Sequence, residues 1–157
     1  MSSLKDDTSQ YRELAIYPVE PAATPRTLVD VLIASAINYP DSLAIDNGSE
    51  SLTYSQLIKT VEEQAVLLQS FGVLAGDRIG IHVRSGTTKL YSSILAVLFC
   101  GAAYVPVDVN DPAERAELVW SESKVCAIVT DDAKITTRLP SIGGTARRPT
   151  PDDDAWI

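Results

Sequence analysis

The sequence predicts an α/β fold in which parallel strands and helices alternate in βαβ layers. Three observations carry that prediction. From Asp77 to Thr130 the pattern reads strand, helix, strand, helix, strand, which calls for right-handed crossovers with helices on both faces of a sheet. Val125 to Thr130 is a continuous apolar run, as expected of a strand buried on both faces. Leu95 to Asp108 places a helix end, a turn at Gly101 and a strand running into Pro106 and Asp108 in direct succession. Glycine suits the position just past a helix because it takes positive φ without a Cβ clash.

Taken in order, residues 1–26 are polar and end in Pro21-Ala-Ala-Thr-Pro25, an extended segment without period. A helix is predicted from Thr27, with Asp30 completing a capping box and Leu28, Val31, Leu32 and Ile33 forming an apolar stripe. Pro40 ends it, because proline disfavours helix at the residue before it. Leu43–Asp46 and Ser51–Tyr54 read as strands joined through Asn47-Gly48, a hairpin signal in which both residues tolerate positive φ. Thr53 and Gln56 form a second capping box. Leu57, Ile58, Val61, Ala65 and Leu68 then recur on one helical face up to Phe71-Gly72.

Gly76-Asp77-Arg78 turns into a strand in which Ile79, Ile81 and Val83 alternate with Gly80 and His82. A helix over about Thr87 to Phe99 is apolar on most sides, which predicts burial between layers. Tyr104 to Val107 is the next strand. Asp111-Pro112-x-Glu114 predicts another helix start, with Asp111 as cap and proline at the first helical position. Residues 131–154 read as a surface loop, rich in proline, glycine and acids. Ala155-Trp156-Ile157 has the character of a new buried strand, so the chain is expected to be incomplete at its C-terminus.

Composition sets further bounds. The chain has 157 residues, 45% of them hydrophobic, and a formal charge of -8. It can bury a core, and its acidity argues against a nucleic-acid partner held by a basic surface. No stretch reaches the roughly 18 apolar residues of a membrane span, and the first ten residues carry Lys5, Asp6 and Asp7 instead of a signal-peptide core. Cys100 and Cys126 lie in apolar runs without metal-ligand spacing. They read as reduced thiols of a cytoplasmic protein.

Each chemically suggestive motif has a plainer reading. Ser85-Gly86-Thr87-Thr88-Lys89 sits between a strand and a helix like a phosphate loop, but Gly-x-x-x-x-Gly-Lys-Ser/Thr is absent, and Ser85 or Thr87 as helix cap accounts for it. Gly76, Gly80 and Gly86 make no dinucleotide fingerprint. His82, the single histidine, has no nucleophile or acid at a spacing that implies a triad. Asp152-Asp153-Asp154 reads as a solvated loop. Taken from the residues alone, no constellation carries catalysis.

Two segments say more than propensity does. Ser51-Leu-Thr-Tyr-Ser-Gln-Leu57 resembles a segment near the start of adenylate-forming enzymes. Leu95–Asp108 resembles the Leu-Lys-Ala-Gly-Ala-Ala-Tyr-Val-Pro-Leu/Ile-Asp motif of amino-acid adenylation domains in nonribosomal peptide synthetases. Gly72 to Arg78 and Asp111-Pro112-x-Glu114-Arg115 fit the same family in order and spacing, from about Thr27 to Thr130. Gln56 stands for the usual Glu, and Phe99-Cys100 for Lys-Ala. Within the family, Ser85–Leu98 and Val107–Ala116 are similar to membrane-bound synthetases that polymerise lysine and related basic amino acids.

The resemblance implies that residues 27–157 are the N-terminal portion of the large subdomain of an AMP-binding, adenylate-forming ligase, truncated before its phosphate-binding motif. Such an enzyme activates an amino-acid substrate with ATP and Mg2+, then passes it to the phosphopantetheine thiol of a carrier domain. No catalytic, cofactor-binding or metal-ligating residue of the family transfers onto this chain, so it is expected to be inactive alone and to bind none of these groups. The alternatives are part of an acyl-CoA or aryl-acid ligase, and a free-standing α/β binding module.

Overall fold

The structure, a computed structural model, describes residues 24–157. Most of the extended segment expected over 1–26 therefore lies outside the described residues. Helix α1 (Leu28–Asn38) is followed by strands β1 (Leu43–Asp46) and β2 (Ser51–Thr53), helix α2 (Tyr54–Ser70), β3 (Arg78–His82) and α3 (Thr88–Phe99). Then come β4 (Ala103–Pro106), α4 (Ala113–Glu122), β5 (Ala127–Thr130) and β6 (Ile135–Thr137).

Local chemistry sets the helix ends. Thr27 and Thr53 both form capping boxes, with Asp30 and Gln56 reaching back to the cap N–H. Gln56 thus does the work of the usual glutamate. Helix α3 ends in a Schellman motif: Gly101 N–H donates to the Leu98 carbonyl at 2.9 Å and Ala102 N–H to that of Val97 at 3.2 Å, with Gly101 at φ 72. Helix α4 departs from expectation. Pro112 occupies the cap position with no side-chain cap bond, and Asp111 pairs instead with Arg115 at 3.3 Å. A carboxylate preceding that proline is drawn to a cation one turn on rather than to the helix N–H groups.

The β1–β2 hairpin turns through four residues rather than two. Only Gly48 takes positive φ, while the Asn47 side-chain oxygen accepts from the N–H groups of Ser49 and Glu50 at 3.0 and 2.8 Å.

The main sheet has the order β4-β3-β5-β6. Strands β3, β4 and β5 are parallel, as predicted. Strand β6 is a correction: it lies in the expected surface loop and pairs antiparallel with β5, Ile135 opposite Val129. Its turn uses Ala133 at φ 59, so no glycine marks it, and Thr136 and Thr137 supply no apolar period. Trp156 bridges in parallel to Tyr104 on the free side of β4.

The sheet has two unlike faces. Ile79, Ile81 and Val83 join Ala127 and Val129 beneath α1, α2 and α3, in a core that includes Leu57, Val61, Leu68 and Val97. The other face belongs to α4, whose Ala116 and Trp120 pack on Val105, Val107 and Ile128. Gly80 lies under the indole: a Cβ there would come within 2.9 Å of Trp120 Nε1. Helix α3 is buried as expected, but much of its inner surface is Ser92, Ser93 and Ala96, small residues that allow close approach to α2.

Candidate functional site

In open parallel sheets, ligands gather at the carboxyl ends of strands, where neighbouring connections leave toward opposite faces. Here the crossover from β3 to β4 runs through α3 on one face, and the return to β5 runs through α4 on the other. The crevice is flanked by residues 83–87 and 107–112.

The groups at that edge already satisfy one another. Thr87 caps α3, accepting from Leu90 N–H at 3.2 Å and donating to the Arg84 carbonyl at 2.8 Å. Arg84 N–H donates to the Asp131 carboxylate at 2.8 Å, and its guanidinium lies 3.8 Å from the same group. Lys89 Nζ donates to the Asp131 carbonyl. Thr88 donates to Glu50 at 2.8 Å. On the other rim Asp108 accepts from both the N–H and the side-chain amide of Asn110 at 2.8 Å. The capping explanation of Ser85–Lys89 therefore holds, and Asp108 closes its own turn.

The remaining motifs do not converge. His82 stands edge-on to Trp120, ring centroids 5.3 Å apart. Among the described residues no three His, Cys, Asp or Glu side chains come together as metal ligands. Asp153 is a correction to the solvated-loop reading: Arg147 forks onto it at 2.7 and 2.5 Å, and that guanidinium holds the carboxyl well below the usual carboxylate range. A cleft of about 170 Å3 between the start of α1 and residues 149–155 lies at the amino end of the sheet, the wrong end for such a ligand.

Sequence reasoning missed one residue of weight. Asp77 is fully buried. Its carboxylate accepts from Leu74 N–H (2.9 Å), Ser141 O–H (2.6 Å), Ile142 N–H (2.9 Å) and Gly143 N–H (2.8 Å). The signal was the acid of the Gly76-Asp77-Arg78 turn, placed between two apolar runs; three of its four partners lie more than sixty residues away and have no pattern of their own.

The two thiols are reduced and buried. Burial pushes Cys100 up to about 12. Burial, and then the nearby Asp77 charge, push Cys126 up to about 11. The folded state thus keeps protons that the unfolded chain loses from about pH 8.5 upward. The sign follows: this contribution is present below that pH and is lost as pH rises toward 11. Melting temperature is expected to fall between pH 8.5 and 10.5, and to fall less steeply in Cys100→Ala. An identical slope in the two proteins would refute the assignment.

Comparison with known proteins places this geometry. The sequence pattern of the AMP-binding enzyme family matches residues 32–154. The hybrid PKS-NRPS synthetase apdA of Emericella nidulans is 32% identical over 122 residues, which cover 78% of this chain and 3% of that protein. The N-terminal subdomain of NpsA from Klebsiella oxytoca superimposes with a TM-score of 0.62 at 27% identity, covering 78% of this chain and 30% of that one. AB3403, a four-domain nonribosomal peptide synthetase solved with AMP and glycine, gives 0.62 at 28% identity over 67% of this chain and 8% of its own. The chain spans only a small part of the curated relatives it matches. With most of its length matched and its parallel layers shared with adenylation structures, this chain belongs to the AMP-binding enzyme family.

Proposed function

We propose that this chain is the amino-terminal part of the large subdomain of an amino-acid adenylating ligase of the nonribosomal peptide synthetase type. In that reaction a carboxylate oxygen of the amino acid attacks the α-phosphorus of ATP. The bond to the β,γ-phosphates breaks and pyrophosphate leaves. The aminoacyl group then passes to a phosphopantetheine thiol on a carrier domain, with release of AMP.

The observation that supports this best is the pairing of residues 155–157 with β4. Strand β4 carries the Gly101–Asp108 motif, and Trp156 lies parallel to Tyr104. A chain continuing past Ile157 in that direction leaves the sheet at its carboxyl end, where the family's phosphate-binding segment is expected.

The described residues themselves do not fit a triphosphate or Mg2+. Lys89 Nζ and the Thr87 hydroxyl are engaged, the Arg84 guanidinium lies exposed at 3.8 Å from Asp131, and among the described residues no three His, Cys, Asp or Glu side chains converge. We assign those groups, the amino-acid pocket and the carrier contact to the rest of the enzyme. The part of this chain is to present the sheet edge. We place this segment of the enzyme in the cytoplasm, where two unpaired thiols are ordinary. No described helix is long and apolar enough to cross a membrane.

Amino-acid-dependent ATP–pyrophosphate exchange tests the reading. The full-length protein is expected to exchange with an amino acid, and residues 1–157 alone are not. Exchange only with aryl or fatty acids would move the enzyme to the related acid–CoA ligases. Micromolar ATP binding by residues 1–157 in calorimetry would overturn the proposal in favour of a self-contained binding module.

A further inference from the structure

Of the eleven residues of α1 only Asp30 is charged, yet only Val29 and Leu32 are buried. Leu28 is 62% exposed, and Val31, one turn further on, is exposed as well. A helix that is hydrophobic nearly all round is ordinarily covered nearly all round. Leu28 opens onto the cleft at the amino end of the sheet. Between β6 and Ala155 the chain crosses that end as a strap, leaving beside β5 and returning beside β4. Asp77 grips it at residues 141–143, and Arg147 forks onto Asp153 further along. The cleft lies between this second part of the strap and α1, and Leu28, Leu98, Pro149 and Pro151 supply the bulk of its apolar lining.

The volume, about 170 Å3, is below the roughly 300–1,000 Å3 of a small-molecule site. It suits a few side chains delivered by a chain. Arg26 and Thr27 line the cleft, so the preceding chain arrives at its rim. Residues 1–26 are polar apart from one run of large apolar side chains, Leu14-Ala-Ile-Tyr-Pro-Val19. In an extended chain that run is apolar on both sides, and Pro18 disfavours helix at Tyr17. Val19 precedes Arg26 by seven residues. That tether reaches about 23 Å, more than the length of α1, about 16 Å. A second copy of the chain fits less well: a stable dimer buries about 800 Å2 on each partner, which a recess for a few side chains does not offer.

We propose that this cleft is the docking site of the chain's own Leu14–Val19, which folds back from Arg26 and covers Leu28 and Val31. The segment supplies the apolar cover that α1 otherwise lacks, and it joins α1 to residues 149–155 of the strap across the amino end of the sheet.

The test is a set of thermal melts on the whole 157-residue chain. Ile16→Asp combined with Tyr17→Asp charges both sides of the run. It is expected to lower the melting temperature by about 5 °C, the order of shift for returning a large apolar side chain to water in a domain of this size. Leu28→Asp is expected to lower it by a similar amount. An acid in the first turn of a helix favours the helix dipole, so this loss reports lost cover and not a weaker helix. The triple variant should lose little more than either, because both changes break the same contact. Wild-type melting should stay constant over about a hundredfold range of concentration. Losses that add, or a Leu28→Asp variant that melts like wild type, would overturn the proposal. So would a melting temperature that climbs with concentration, which would put a second copy in the cleft.

Discussion

Asp77→Ala is expected to lower the unfolding free energy by about 4 kcal/mol, since four part-buried donors each lose a hydrogen bond that contributes about 1 kcal/mol net. Leu74, Ile142 and Gly143 would each keep an unpaired main-chain N–H, and Ser141 its hydroxyl. The strap cannot move away to hydrate them without losing its seat. Gly143 lies so close to the 74–77 turn that a Cβ on it would stand 2.7 Å from the Ala75 carbonyl oxygen, and Gly144 N–H donates to that oxygen at 2.9 Å. Asp77→Asn keeps one acceptor oxygen and should lose roughly half as much. Urea unfolding decides this: the midpoint should fall while the slope is retained. A loss under about 1 kcal/mol for Asp77→Ala would mean that the strap holds itself.

The same residue marks how far the sequence could be read. The three parallel strands and the helices of the central layers were legible because each rests on a local signal: apolar period, capping box, or glycine after a helix. Gly72 and Gly101 announced the ends of α2 and α3. The end of α4 was silent because Lys124 takes the left-handed conformation, φ 55, without being glycine. Strand β6 was silent for a like reason at Ala133. Asp77 depends on which distant backbone segment the fold brings up to its carboxylate, residues 141–143, and spacing carries no trace of that. Of the two caps read into Ser85–Lys89, the structure uses Thr87. The family came from Leu95–Asp108, which frames the site's edge without supplying its chemistry.

Gly101→Ala is expected to cost about 3 kcal/mol, from two sources: about 1–2 kcal/mol for an L-residue in the left-handed region and about 1–3 kcal/mol for overpacking. The first follows from φ 72. The second follows from the Ala75 side chain, 2.9 Å from where the new Cβ would stand. Neither turn can retreat, because Gly76 N–H donates to the Gly101 carbonyl at 2.8 Å and Ala75 is itself buried. The double variant with Ala75→Gly separates the sources. If crowding matters, the pair should lose about 1 kcal/mol less than the sum of the single losses, measured as a coupling energy in denaturant unfolding. Strict additivity would leave backbone conformation as the whole cause. The distinction bears on what this glycine does for the family motif. A helix-ending glycine needs only its φ. One that also admits Ala75 docks the 74–77 turn against the start of β4, and the buried Asp77 of that turn is the first anchor of the strap leading to residues 155–157.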